Sequence, residues 1–134
     1  MRVLTQREPN LLHHACSQLA LHLGFVIAAS RRWRISSFDV SSAFLRGDHM
    51  GEQLFFLPPK EGLPNVPPGS LIQALKGVFG LRIAPRLWWK KARTMITQVG
   101  FTALATVPGV FVLREKDGTL CGILFLHVDD GLDV

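Results

Sequence analysis

With 134 residues and 48% hydrophobic content, the chain has material for one ordinary core rather than a multidomain assembly. Fifteen Lys and Arg against ten Asp and Glu give a formal charge of +5, which favours polyanions without singling one out. Cys16 and Cys121 stand far apart with no CxxC or His-x-His spacing beside them, so neither a zinc cluster nor a disulfide scaffold is signalled, and a reducing, intracellular setting is the simplest expectation.

In chain order, the first element is a helix. From Asn10, a suitable N-cap, apolar residues recur at helical spacing as Leu12, Ala15, Cys16, Leu19, Leu23, Val26 and Ile27. The stretch from Leu11 to Ser30 has no Lys, Arg, Asp or Glu, yet it carries His13, His14, Ser17, Gln18 and His22, a poor content for a membrane span or a signal peptide. The expectation is a helix buried on one side, in a protein that is neither inserted in a membrane nor secreted but works in the cytoplasm or nucleus. The three histidines lack a carboxylate or Cys partner at ligand spacing and read as ordinary helix residues.

Trp33 to Val40 is β-branched and aromatic and predicts a strand, followed by a short helical turn over Ser41 to Leu45. Gly47 and Gly51 bracket a break, Gln53 to Leu57 predicts a short strand, and the Pro- and Gly-rich run from Pro58 to Gly69 is a surface loop. Ser70 to Leu75 fits a strand or a helix equally. Pro85 suits a first helical position, and the helix behind it sets Trp88, Ala92, Met95, Ile96 and Val99 against Lys90, Lys91, Arg93 and Gln98, with Gly100 as its stop. Such a helix should pack on a sheet. Val110 to Leu113 and Leu120 to Val128 are strand-like runs around Asp117-Gly118, a hairpin signal. A second turn is expected at Asp129-Asp130-Gly131, leaving a short last strand with an unpaired apolar edge at Val134. The order predicts an α+β fold, one mostly antiparallel sheet covered by helices on one face.

The chemistry centres on carboxylates. Asp39 ends a predicted strand, and Asp129 and Asp130 occupy the turn between two apolar segments. On residue types alone Asp-Asp-Gly is also an ordinary solvated turn. Three carboxylates converging at the end of a sheet repel one another unless a cation neutralises them, and hard oxygen donors select Mg²⁺ or Mn²⁺. Two such ions support in-line phosphoryl chemistry.

The neighbouring sequence favours the metal reading. Phe38-Asp39-Val40-Ser41-Ser42-Ala43-Phe44-Leu45-Arg46-Gly47 resembles the first catalytic motif of Ty1/copia reverse transcriptases, Asp-Val-Lys-Thr-Ala-Phe-Leu-Asn-Gly. Glu52 to Gly62 is similar to the family segment that ends in Pro-x-Gly. Leu75 to Trp89, with Gly80-Leu81-Arg82-Ile83-Ala84-Pro85-Arg86, resembles its Tyr-Gly-Leu-Lys-Gln-Ala-Pro-Arg-x-Trp block, and Leu126-His127-Val128-Asp129-Asp130 its Tyr-Val-Asp-Asp box. The four blocks follow the family's order over about residues 10 to 134.

The resemblance implies a single partial reverse transcriptase domain over residues 1 to 134, a palm with a remnant of the fingers and no thumb. It implies that Asp39, Asp129 and Asp130 are catalytic and hold Mg²⁺ or Mn²⁺ together with the Val40 carbonyl. Phe44 would then exclude a 2′-hydroxyl, and Gly80 and the helix that starts near Pro85 would line the template base and the incoming nucleotide, with Arg82 and Arg86 near phosphates. The implied partners are an RNA or DNA template-primer, deoxynucleoside triphosphates and remaining Pol segments. His127 stands where the family has Tyr, Ile83 where it has Gln, and Thr106-Val107-Pro108-Gly109 where it has an Asp. The expectation is a piece that does not polymerise unaided. A reading from another class stays open, a relic that binds nucleic acid through its basic surface without catalysis.

Overall fold

A computed structural model describes residues 16–134. The described residues divide into two compact units, one holding residues 16–41 and Met95–Val134, the other Ser42–Thr94.

The first unit is a five-stranded antiparallel sheet with a helix on one face. Helix α1 (Gln18–Arg31) is capped by Ser17, whose side chain accepts the Ala20 N–H. The start expected at Asn10 lies outside the described residues. Strands β1 (Ser36–Asp39), β4 (Thr102–Ala103), β5 (Val110–Arg114), β6 (Leu120–His127) and β7 (Asp130–Asp133) line up in the order β1-β7-β6-β5-β4. Alternation puts Val110, Val112, Ile123, Phe125 and Val134 on one face, where they form the core with Ala28 of α1. Gly24 lets α1 approach closely, because a Cβ at this position would fall on the Phe125 ring. Opposite the sheet, α1 exposes Leu19, Leu23 and Val26, so the helix is apolar on both sides rather than one.

The β5–β6 hairpin forms where Asp117-Gly118 predicted it. Gly118 has φ +88, and its N–H donates to the Glu115 carbonyl, giving the positive φ that a short hairpin loop requires. The last turn lies one residue earlier than expected. His127 pairs with Asp130, so the loop is Val128-Asp129, while Asp130 and Gly131 already belong to β7. Nor is β7 an unpaired edge: it bonds β1 on one side and β6 on the other, and Val134 exchanges both backbone hydrogen bonds with Ile123.

The second unit holds α2 (Ala43–Arg46), the antiparallel pair β2 (His49–Phe56) and β3 (Ile72–Lys76), and most of α3 (Ala84–Gln98). The ambiguous segment after Ser70 is thus a strand, and β2 starts earlier than Gln53, with a register shift between His49 and Leu54. Pro85 sits at the second helical position, behind Ala84. The start of α3 packs tightly, since a Cβ on Gly77 would lie 2.8 Å from the Ala84 Cα. Trp88 is buried as its helix face requires, whereas Met95 and Val99 of the same predicted face are exposed. The short β4 carries no sequence signal of its own.

Candidate functional site

Sheet pairing in the first unit brings the predicted carboxylates together. Asp39 is the last residue of β1, and its Cα partner across the ladder is Asp130, which in turn pairs with His127 on β6. Asp129 sits in the connecting loop, and its carbonyl accepts the Val40 N–H at 2.9 Å. The backbone therefore ties β1 to the loop immediately beyond the aspartates. Val40, whose carbonyl the resemblance adds to the ligand set, occupies this junction.

The three aspartates are exposed, and no hydrogen bond or ion pair engages their side chains among the described residues. Like charges directly opposite on neighbouring strands destabilise a sheet, typically by a few tenths of a kcal/mol up to about 1 kcal/mol. Asp39 and Asp130 are such a pair, and no Lys or Arg within the described residues compensates them. The donor set fits a hard divalent cation: carboxylate oxygens facing solvent at the end of a sheet. Even so, no three His, Cys, Asp or Glu side chains among the described residues are already gathered closely enough to hold an ion.

The loop itself carries strain. Val128 has φ +58, a left-handed conformation that a β-branched residue adopts at a cost of roughly 1–2 kcal/mol. Turn chemistry would place Gly or Asn there, so propensity gives no warning of it. Gly131 is explained by packing rather than by turning: its φ is not positive, and the Phe38 ring of the paired strand occupies the space a Cβ would need.

Beside the aspartates lies a cleft of about 510 Å³, between the first turn of α1 and the β1–β7–β6 end of the sheet. Leu21, Phe125 and Leu132 give it an apolar interior, and Asp39, Asp130 and His127 stand at its polar rim. Sequence reasoning missed this cleft, although alternation from Asp130 to Leu132 already puts a carboxylate and an apolar side chain on one face. Burial pushes the Cys16 thiol at its edge above its usual pKa, and the thiol donates to the Ser17 carbonyl.

Phe44, Gly80 and Arg82 belong to the second unit. Phe44 is half-buried, its ring centroid 6.2 Å from that of the exposed Phe79. Gly80 has φ +92 and open space where a Cβ would stand, and with Arg82 and Glu52 it lines a concavity of about 370 Å³. Lys90 lies 4.0 Å from Asp48 on an exposed surface, a contact of little energetic weight.

The reverse transcriptase (RNA-dependent DNA polymerase) family model matches residues 16–133, running through both units. The chain is 30% identical over 104 residues to the retrovirus-related Pol polyprotein from transposon RE2 of Arabidopsis thaliana, covering 78% of this chain and 7% of that protein. It is 31% identical over 109 residues to the Pol polyprotein from transposon TNT 1-94 of Nicotiana tabacum, covering 81% and 8%. A truncated transposon Ty1-A Gag-Pol polyprotein of Saccharomyces cerevisiae is 28% identical over 127 residues, covering 94% and 9%. The chain thus spans less than a tenth of the length of these relatives. No solved structure matches it. Among the described residues, no helix is long and apolar enough to cross a membrane.

Proposed function

Since the chain belongs to the reverse transcriptase (RNA-dependent DNA polymerase) family and is related to Ty1/copia-type retrotransposon Pol polyproteins, we propose that it supplies the metal-holding palm of such a polymerase. The observation that carries this reading is the Asp39–Asp130 cross-strand pair, uncompensated and joined by the Val40–Asp129 backbone bond. Within the proposal, Asp39, Asp129 and Asp130 are the catalytic carboxylates and, with the Val40 carbonyl, hold Mg²⁺ or Mn²⁺. When bound, a pair of such ions supplies activation of a primer 3′-hydroxyl and stabilisation of the departing pyrophosphate.

The chain's own residues do the positioning. Strand β7, held on both sides, keeps Asp130 opposite Asp39 and limits how far the carboxylates can separate. The positive φ of Val128 fixes where Asp129 leaves the hairpin. In the second unit, Phe44 is proposed to exclude a 2′-hydroxyl and so favour deoxynucleotides, while Gly80 and Arg82 contact the incoming nucleotide. An open, side-chain-free surface at Gly80 and the exposed Arg82 guanidinium suit an approach of base and phosphate. The family model's course through both units supports treating them as one partial domain. Template-primer, deoxynucleoside triphosphates and other Pol segments are the proposed partners, and the interior of a cell the proposed setting.

Mn²⁺ binding to the chain, followed by electron paramagnetic resonance, tests the metal site. Asp39→Asn and Asp129→Asn should each weaken it by about tenfold or more, the loss of one charged ligand. Unchanged affinity in both variants refutes the site. Primer extension by the full-length Pol polyprotein carrying the same substitutions tests the catalytic role.

A further inference from the structure

We propose that the cleft under the first turn of α1 binds a small apolar organic cation, a compact aromatic amine, and that such a ligand competes with the divalent cation for Asp39 and Asp130. Amine binding requires only the cleft; the competition rests on the metal reading given above.

Its volume of about 510 Å³ falls in the range typical of small-molecule sites, roughly 300–1,000 Å³. Its chemistry is divided. Leu21, Phe125 and Leu132 line the interior, and a hydrated metal ion at the rim leaves that apolar surface unfilled. The rim carries Asp39 and Asp130, Cα partners across β1 and β7, and among the described residues no Lys or Arg lines the cleft. An anion such as a nucleotide is therefore disfavoured, and a neutral hydrocarbon leaves the carboxylates uncompensated. A ligand with an apolar body and one positive charge satisfies both halves.

One feature opposes a cation: the N-terminus of α1, at Ser17 and Gln18, also borders the cleft. A helix end carries roughly half a positive charge, and here the Ser17 side chain already occupies the Ala20 N–H. Two formal carboxylate charges outweigh it, so the net field at the rim is negative. Leu21 of the apolar wall stands on α1 while Asp39 and Asp130 stand on the sheet, so this part of the wall can be altered without touching the charged rim.

Benzylammonium and its neutral analogue benzyl alcohol are the probes, titrated into the whole chain in metal-free buffer and followed by protein-observed NMR. Benzylammonium should bind at least about tenfold more tightly than benzyl alcohol, a difference of one charge contact. That preference should vanish in the double variant Asp39→Asn, Asp130→Asn. Leu21→Trp, which fills the cleft from α1, should abolish amine binding while leaving Mn²⁺ affinity unchanged; Leu21→Phe replaces it if the Trp variant does not fold. Equal binding of the two probes, or full amine affinity in a folded Leu21 variant, overturns the site. Saturating Mn²⁺ should lower the apparent amine affinity, and its failure to do so while Mn²⁺ binds overturns the shared carboxylates. If benzylammonium binds with the stated preference and Mn²⁺ does not bind at all, the metal reading falls and the amine site stands.

Discussion

Gly109→Ala should be among the most damaging single-methyl additions in this chain. Gly109 has φ +77, and a Cβ there would lie 2.7 Å from the Leu126 carbonyl oxygen and 2.5 Å from the Cys16 backbone nitrogen. Both neighbours are backbone, so no flexible side chain can yield. The left-handed conformation alone costs a non-glycine residue roughly 1–2 kcal/mol. Relieving the contact means moving β6 or Cys16, which threatens the Leu126 N–H bond to the Gly109 carbonyl at 2.8 Å, worth about 0.5–1.5 kcal/mol. The total is about 1.5–3.5 kcal/mol, a large share of the 5–15 kcal/mol that typically holds a domain together. Gly118→Ala is the control, since Gly118 has φ +88 with nothing within 4 Å of a Cβ. Urea unfolding of both variants separates the conformational cost they share from the steric cost that only Gly109 bears. A Gly109→Ala midpoint no lower than that of Gly118→Ala refutes the reasoning.

Ser17→Ala removes the side-chain cap of α1 and should lower stability by about 1 kcal/mol, read from the same unfolding curves. Gly24→Ala gains up to about 1 kcal/mol of helix propensity but drives a methyl into the Phe125 ring, where overpacking costs about 1–3 kcal/mol. A net loss is expected, and a gain in thermal midpoint would show that α1 can move away. Asp117 accepts the Thr119 N–H at 2.9 Å, and that bond holds its carboxyl below the usual pKa. A depressed folded pKa contributes stability above the unfolded value near about 4, lost as pH falls through the folded one. Asp117→Asn should therefore flatten the acid limb of stability against pH slightly, and an unchanged limb counts against the bond.

Where local chemistry and tertiary context agree, the sequence sufficed. Asp117-Gly118 supplies the backbone conformation its hairpin needs, and Gly100, with φ +104, ends α3 as expected. Trp88 and Ala92 are buried on the predicted helix face, while Met95 and Val99 are exposed, because periodicity locates an apolar stripe but not what covers it. The residues alone put the last turn one residue late because Asp and Gly are local turn formers, whereas pairing to two neighbouring strands decides the register. The polar start of β2 and the two-residue β4 depend on partners rather than on their own residues.

The register of that last turn bears on the aspartates. A solvated Asp-Asp-Gly turn would need neither a defined register nor a neighbour, and its residues would serve the bend itself. Here the bend is made by Val128 and Asp129 at the cost of a left-handed β-branched residue, while Gly131 lies in the strand beneath the Phe38 ring. Moving the strand by one residue, in either direction, would put Asp130 or Leu132 where Gly131 sits and exchange the two faces of β7. Phe38, the residue before Asp39, would then meet a side chain in the space its ring fills. The Phe38–Gly131 fit thus locks the register that sets Asp39 opposite Asp130. Two acidic residues in an enforced, uncompensated pairing are poorly explained by turn propensity, and the pairing is the arrangement that the proposed metal site requires.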